Sequence, residues 1–83
     1  MENLWGNILL EIEKQISKPV FLTFFKPSRL ISYDSKTAVI GAPTDIGAEY
    51  IEKKFQSLIE KVFYKNTGKN VQLVFIKLED NAN

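Results

Sequence analysis

The chain has 83 residues, a length that fits one domain. Hydrophobic residues make up 45% of it and the formal net charge is only +1, so both a disordered tail and a strongly basic nucleic-acid-binding protein are disfavoured. The chain contains no cysteine and no histidine, which excludes disulfides, thiolate chemistry, zinc sites and imidazole catalysis.

The first predicted element is a helix from Leu4 to Ile16. Its apolar side chains recur at helical spacing and form one stripe: Trp5, Ile8, Leu9, Ile12 and Ile16. Trp5 stands at the helix entrance, where a large ring is easily half exposed and can act as an interface anchor; a core position is the alternative. Leu10 lies well off the stripe.

A second, short helix is predicted from Pro19 to Phe25. Ser17 can cap it, proline is tolerated in a first turn, and Pro27 ends it. A helix of two turns cannot bury every side. We therefore expect part of an apolar set to face a partner, with packing on the third helix as the alternative. This set comprises Val20, Leu22 and Phe25, beside Phe21 and Phe24.

Two strands follow, from Leu30 to Tyr33 and from Thr37 to Ala42. The polar residues 34–36 between them are typical of a hairpin connection. The second strand is apolar at the consecutive positions 38–40. This pattern indicates a strand that is covered on both faces, or covered on one and lightly exposed on the other.

Thr44 is a good N-cap for the third and longest helix, and Gly68 is a candidate residue to end it. The predicted buried stripe is Ala48, Ile51, Phe55, Leu58, Ile59 and Val62. Ile46 and Tyr50 lie one turn apart and point away from this stripe. They form either a docking site or a position covered by a sheet edge or a loop.

The last strand is predicted from Val71 to Leu78, and residues 79–83 form a polar tail that we expect to fray. The element order is α-α-β-β-α-β. It predicts a single α+β domain, KH-like, with a small three-stranded sheet covered by helices.

No constellation of catalytic groups is found, so we expect no enzyme, no cofactor and no metal. Four cations crowd the first-to-second helix region: Lys14, Lys18, Lys26 and Arg29. Together with Phe25 they could bind single-stranded DNA weakly, although such a group is more often a solvated surface. There is no run of membrane-spanning length and no signal-peptide pattern, so we expect a cytoplasmic protein.

An ordered set of short motifs carries a family resemblance: Leu4-Trp5, Ser17-Lys18-Pro19, Lys26-Pro27, residues 37–43, residues 50–55, Leu58-Ile59 and Thr67-Gly68-Lys69. Over about residues 3–78 the chain resembles domain I, the N-terminal domain of the bacterial chromosomal replication initiator DnaA. The resemblance covers nearly the whole chain. We therefore expect residues 1–83 to be one such domain, with 79–83 as its tail or the start of a linker.

The resemblance implies a non-catalytic domain that self-associates and recruits the replicative helicase and initiation regulators at the chromosomal origin. It makes Trp5 the self-association anchor, assisted by Leu4 and Leu10. Two positions tied to helicase contact depart from the family. Val20 stands where a polar or acidic residue is common, and Ile46 stands where a phenylalanine is frequent. The chain is expected to be an excised domain, with a stand-alone regulator as the alternative.

Overall fold

The computed structural model describes residues 2–78. Its elements are α1 (Glu2–Glu13), α2 (Lys18–Val20) with a π-helical turn (Phe21–Phe25), β1 (Arg29–Tyr33), β2 (Thr37–Ala42), α3 (Asp45–Thr67) and β3 (Gln72–Lys77). The predicted order and the α+β class are confirmed. The tail expected to fray at residues 79–83 lies outside the part of the chain that is described.

Helix α1 ends before the predicted end at Ile16. The N–H groups of Lys14 and Gln15 bond to carbonyls three residues back instead of four, and this tightens the chain into a turn. The predicted apolar stripe does face the core: Trp5, Ile8 and Ile12 are buried, and Leu9 and Ile16 pack partly buried against them.

The second helical segment begins with a cap and widens after one turn. The Ser17 hydroxyl accepts a hydrogen bond from the Val20 N–H at 3.4 Å. The π-helical turn then follows, and the Lys26 N–H donates to the Phe21 carbonyl five residues back at 2.9 Å. Pro27 has no N–H to continue this series, so the helix ends there as predicted.

The sheet has the strand order β1-β2-β3. Strands β1 and β2 form an antiparallel hairpin, whereas β3 runs parallel to β2 because the crossover through α3 returns the chain to the same end. An irregularity between Leu30 and Ser32 leaves Ile31 as an extra residue in β1.

Both predicted ends of α3 are confirmed. The Thr44 hydroxyl accepts a hydrogen bond from the Gly47 N–H at 2.9 Å, and Gly68 takes the left-handed conformation (φ 76°) that ends the helix. Phe63 is fully buried but was not in the predicted stripe. The stripe is wider than periodicity suggests because α3 packs on both α1 and β3.

The helices lie on one side of the sheet. Inward-facing strand residues join the helices in one core: Ala38, Ile40, Ala42 and Leu73. The Lys65 ammonium bonds the Glu11 carboxylate at 3.2 Å between α3 and α1, and this contact lowers the pKa of Glu11. No helix in residues 2–78 is both long and apolar enough to cross a membrane.

The hairpin between β1 and β2 supplies a testable pH dependence. The Asp34 carboxylate accepts hydrogen bonds from the backbone N–H groups of Thr37 at 2.8 Å and Lys36 at 2.9 Å, and these bonds lower its pKa below the ordinary 3.8. A carboxyl whose pKa is lower in the folded state stabilises the fold above its ordinary pKa. That contribution disappears as the pH falls through the lowered value.

We therefore expect Asp34→Asn to be less stable than the parent at neutral pH, with the difference shrinking below pH 3.8. The asparagine oxygen can accept the same two hydrogen bonds without a charge, so the turn itself is kept. Thermal unfolding of the parent and of Asp34→Asn, from neutral pH to below pH 3.8, measures the difference in stability. A difference that stays constant with pH would contradict it.

Candidate protein-docking surface

The first turns of α3 carry an exposed apolar side chain beside two stacked rings. Ile46 is 77% exposed, the most exposed of the large apolar residues described. The ring of Tyr50, one turn later, stacks on the ring of Phe24 with centroids 4.2 Å apart and planes inclined by 27°. We call Phe24, Ile46 and Tyr50 the α3 N-terminal cluster.

Aromatic contacts tie this cluster to the core. The rings of Tyr50 and Phe55 make an edge-to-face contact with centroids 5.9 Å apart. Phe55 makes a second edge-to-face contact with the buried Phe25, with centroids 5.3 Å apart. Edge-to-face pairs of this kind add to the stabilisation from burial. The Phe24–Tyr50 stack is therefore held in place before any partner binds, which lowers the entropy lost on binding.

Gly47 is a poor helix former in the first turn of α3, and the atoms around it explain why glycine is present there. A Cβ atom built there would lie 3.0 Å from the capping Thr44 hydroxyl oxygen and 3.9 Å from the Phe24 ring. Glycine therefore keeps the capping hydroxyl uncrowded, whereas the distance to the Phe24 ring is that of an ordinary van der Waals contact. The backbone around the α3 N-terminal cluster is therefore packed closely.

A shallow depression of about 330 Å³ lies along this part of α3. Its lining residues are Ile46, Glu49, Tyr50, Lys53 and Lys54. The Lys53 ammonium lies 3.0 Å from the Glu49 carboxylate, and this exposed ion pair contributes little to stability. An apolar centre with a charged rim is the usual composition of a protein–protein interface.

The expectation of a half-exposed Trp5 is wrong. Its ring is only 7% exposed and lies 6.4 Å from Phe63, and its Nε1–H donates to the Ser28 carbonyl at 3.4 Å. The Trp5 ring therefore fills the space between α1, α3 and the segment before β1, and it contacts all three. Too little of the ring remains exposed for it to act as a direct contact.

The other two α1 residues of the predicted self-association surface differ from each other. Leu4 is partly buried against the core. Leu10 is 59% exposed, as its position off the stripe indicated. On α1, Leu10 is thus the predicted residue with the most surface open to a partner, while Leu4 keeps part of its surface exposed.

Phe25 is also misassigned as a contact residue, since it is 1% exposed. Its ring is parallel to that of Phe21, with centroids 6.4 Å apart, and is closed off by Phe55. Leu22 is exposed and Val20 is half-buried, so these two keep their place among the candidates.

The four predicted nucleic-acid contacts are all exposed: Lys14, Lys18, Lys26 and Arg29. The ion pairs found within residues 2–78 are formed by Lys53 and Lys65 and involve none of these four cations. The base-stacking part of that hypothesis is wrong, because the buried Phe25 cannot stack on a base. Phosphate contact by the four cations stays a prediction.

Sequence reasoning missed four exposed apolar residues: Ile31, Tyr64, Val74 and Ile76. The signal for two of them was present in the uninterrupted apolar run at 73–76, which gives β3 apolar side chains on both faces.

Comparisons with known proteins agree with this architecture. A chain in the crystal structure of a HobA–DnaA (domain I–II) complex from Helicobacter pylori superposes with a TM-score of 0.77. The two chains are 17% identical, and the match covers 89% of this chain and 96% of that one, so they share a fold. The family model of the DnaA N-terminal domain matches residues 2–65, more than three quarters of the sequence. This chain therefore belongs to the DnaA N-terminal domain family.

Proposed function

We propose that this chain is a non-catalytic protein–protein interaction domain that self-associates and recruits the replicative helicase and initiation regulators to the chromosomal origin. The observation that carries the proposal is the α3 N-terminal cluster, where an exposed apolar side chain adjoins a fixed aromatic stack. Membership of the DnaA N-terminal domain family supports a role in replication initiation.

The cluster has the physical properties of an interface hot spot. Ile46 offers apolar area that water now covers, and Tyr50 offers a rigid ring with a hydroxyl group. Aromatic residues held rigid beside apolar neighbours bury much area on binding at a small cost in conformational entropy. A partner that inserts an apolar side chain into the adjoining depression would displace water from both residues.

The similar structure from Helicobacter pylori supports contact with a second protein. That structure is a complex of DnaA with HobA, so a chain of similar fold occurs in an assembly with another protein. We infer that the present domain also binds protein partners, with the α3 N-terminal cluster as its principal contact.

Self-association has its own candidate surface in this proposal. With Trp5 in the core, the exposed Leu10 is the best remaining contact on α1. It does not belong to the α3 N-terminal cluster, so the two activities can be tested by separate substitutions.

Binding of the replicative helicase tests the proposal. We expect Ile46→Ser and Tyr50→Ala each to weaken helicase binding at least about tenfold, equivalent to about 1.4 kcal/mol, because each removes apolar area from the centre of the contact. Isothermal titration calorimetry with the purified helicase measures this.

Tyr64→Ala is the matched control, since Tyr64 is an exposed tyrosine near the other end of the same helix. It should bind the helicase like the parent. Unchanged binding by both cluster variants would show that the helicase docks elsewhere, and absence of binding by the parent would refute helicase recruitment.

A further inference from the structure

Strand β3 lies at an open edge of the sheet. The strand order is β1-β2-β3, and β3 pairs with β2 alone among the strands described. Each of its six residues has a partner in β2, and the register between the two strands has no shift. The other edge strand, β1, is interrupted by the irregularity between Leu30 and Ser32. The regular edge of this sheet is therefore the outer side of β3.

The hydrogen bonds to β2 show which backbone groups of β3 remain free. The Gln72 N–H donates to the Lys36 carbonyl at 2.8 Å, and the Leu78 N–H donates to the Ala42 carbonyl at 2.7 Å. Backbone groups alternate in direction along a strand, so the even-numbered residues from 72 to 78 point towards β2. The N–H and C=O groups of three residues point the other way: Leu73, Phe75 and Lys77. We call these backbone groups the β3 edge.

The β3 edge lacks most of the features that keep strand edges from pairing further. Such edges are normally protected by proline, a bulge, charged side chains or a covering segment. Residues 72–77 contain no proline, and their one charged residue, Lys77, stands at the end of the strand. Helix α3 packs on one face of β3, and no strand of residues 2–78 pairs with its outer side. The centre of β3 is thus open to another strand.

The side chains beside the β3 edge define the composition of an added strand. Val74 and Ile76 are 37% and 39% exposed, on the face of the sheet that points away from the helices. Leu73 and Phe75 face the helices, and Phe75 is only partly buried. Apolar side chains therefore flank the edge on both faces. Because like neighbours across strands stabilise pairing, the edge is suited to a run of apolar and β-branched residues.

Charge selects the ends of that strand. The charged side chains of residues 69–78 are Lys69 and Lys77, which flank β3 at its two ends and are both exposed. The ion pairs described in residues 2–78 include neither of them. An added strand with an acidic residue at each end complements these lysines. A second copy of β3 would bring the same two lysines, so charge favours a different protein.

We propose that the β3 edge binds an extended segment of a partner protein as a fourth strand of the sheet. The segment is apolar and β-branched in its centre and acidic at both ends. Three N–H and three C=O groups of β3 pair with its backbone, and its side chains cover Val74 and Ile76. In strand addition of this kind, main-chain hydrogen bonds supply affinity and side chains supply specificity. The β3 edge shares no residue with the α3 N-terminal cluster or with Leu10, so this proposal depends on neither.

Hydrogen exchange followed by NMR tests the edge directly. The probe is a ten-residue synthetic peptide of alternating valine and threonine between two terminal aspartates. We expect millimolar peptide to slow amide exchange at Leu73, Phe75 and Lys77 at least about fivefold, because these N–H groups gain an acceptor. Exchange at Val74 and Ile76 should not change, since those N–H groups already point towards β2. Absence of slowing, or equal slowing at all five amides, overturns the proposal.

Two matched peptides separate the backbone from the side chains and the charge. The same peptide with N-methyl groups on its central residues keeps every side chain and both charges but loses its donors, so it should give no protection. A peptide with lysine at both ends should bind at least about threefold more weakly than the aspartate-ended one. Equal binding of the N-methylated peptide overturns strand addition. Equal binding of the lysine-ended peptide overturns the assignment of acidic ends.

Lys77→Pro and Lys77→Thr form a matched pair of variants. Both remove the same charge, but only proline removes an outward N–H, and neither removes a hydrogen bond to β2. We expect Lys77→Pro to bind the aspartate-ended peptide at least about threefold more weakly than Lys77→Thr. Equal binding of the two variants contradicts pairing along the β3 edge. Thermal unfolding checks that both fold; if Lys77→Pro does not, the N-methylated peptide decides.

A dilution series without peptide distinguishes a partner protein from a second copy. We expect the amides of Leu73, Phe75 and Lys77 to exchange at the same rates at low and high concentrations of the parent chain. Slower exchange at these three amides as the protein concentration rises would show that another copy of β3 occupies the edge. That result overturns the proposal of a different protein as the partner.

Discussion

Trp5→Ala is expected to lower the free energy of unfolding by about 3–5 kcal/mol, the usual cost of truncating a buried tryptophan. The substitution empties a space between α1 and α3, removes the contact with Phe63, and leaves the Ser28 carbonyl without its indole donor. For a domain of this size, each kcal/mol lowers the melting temperature by about 4–8 °C.

Chemical denaturation of Trp5→Ala measures the loss, with Leu10→Ala as the control on the same helix. Leu10 is exposed, so its truncation should change stability by no more than about 0.5 kcal/mol. A stability equal to that of the parent would show that the Trp5 ring is not part of the core. A loss of self-association in Trp5→Ala is informative only where the variant is still folded, since unfolding alone would abolish the contact.

Phe25→Ala is expected to have a comparable effect, a loss of about 3–5 kcal/mol. The Phe25 ring lies parallel to that of Phe21 and makes an edge-to-face contact with Phe55, so its removal leaves two rings facing a cavity. Because Phe55 also contacts Tyr50, we expect the cavity to loosen the docking surface as well as the core.

Leu22→Ala is the control for Phe25→Ala, because Leu22 lies in the same π-helical turn but is exposed. It should change the free energy of unfolding by no more than about 0.5 kcal/mol. Equal effects of the two substitutions would contradict the assignment of Phe25 to the core and Leu22 to the surface.

The separation of core from surface changes how variants of this domain are interpreted. Substitutions at Trp5 and Phe25 act on folding, and any loss of binding that they cause follows from it. Leu10 and Ile46 are exposed, so we expect substitutions there to leave the core intact and to report on partner contact directly. The two surfaces can therefore be assigned to partners one at a time.

The order of the elements, the hairpin at Asp34, the cap at Thr44 and the left-handed Gly68 could all be predicted from the sequence. Each depends on residues close together in the chain, whose hydrogen bonds and backbone preferences are local. The ordered motifs were likewise sufficient to predict the family. Ile46 and Leu10 could be placed outside the core because helical periodicity shows which side of one helix is apolar.

Tertiary structure decided burial where periodicity left two possibilities open. Trp5 belongs to the apolar stripe of α1, but only the packing of Phe63 and Ser28 around its ring shows that it is buried and not half exposed at the helix entrance. Phe25 and Leu22 are separated in the same way by Phe21 and Phe55. The exposure of Ile31, Val74 and Ile76 likewise depends on the fold, because the helices described in residues 2–78 pack on the other face of the sheet. Burial is the sum of contacts between segments distant in sequence, and periodicity within one segment does not contain that information.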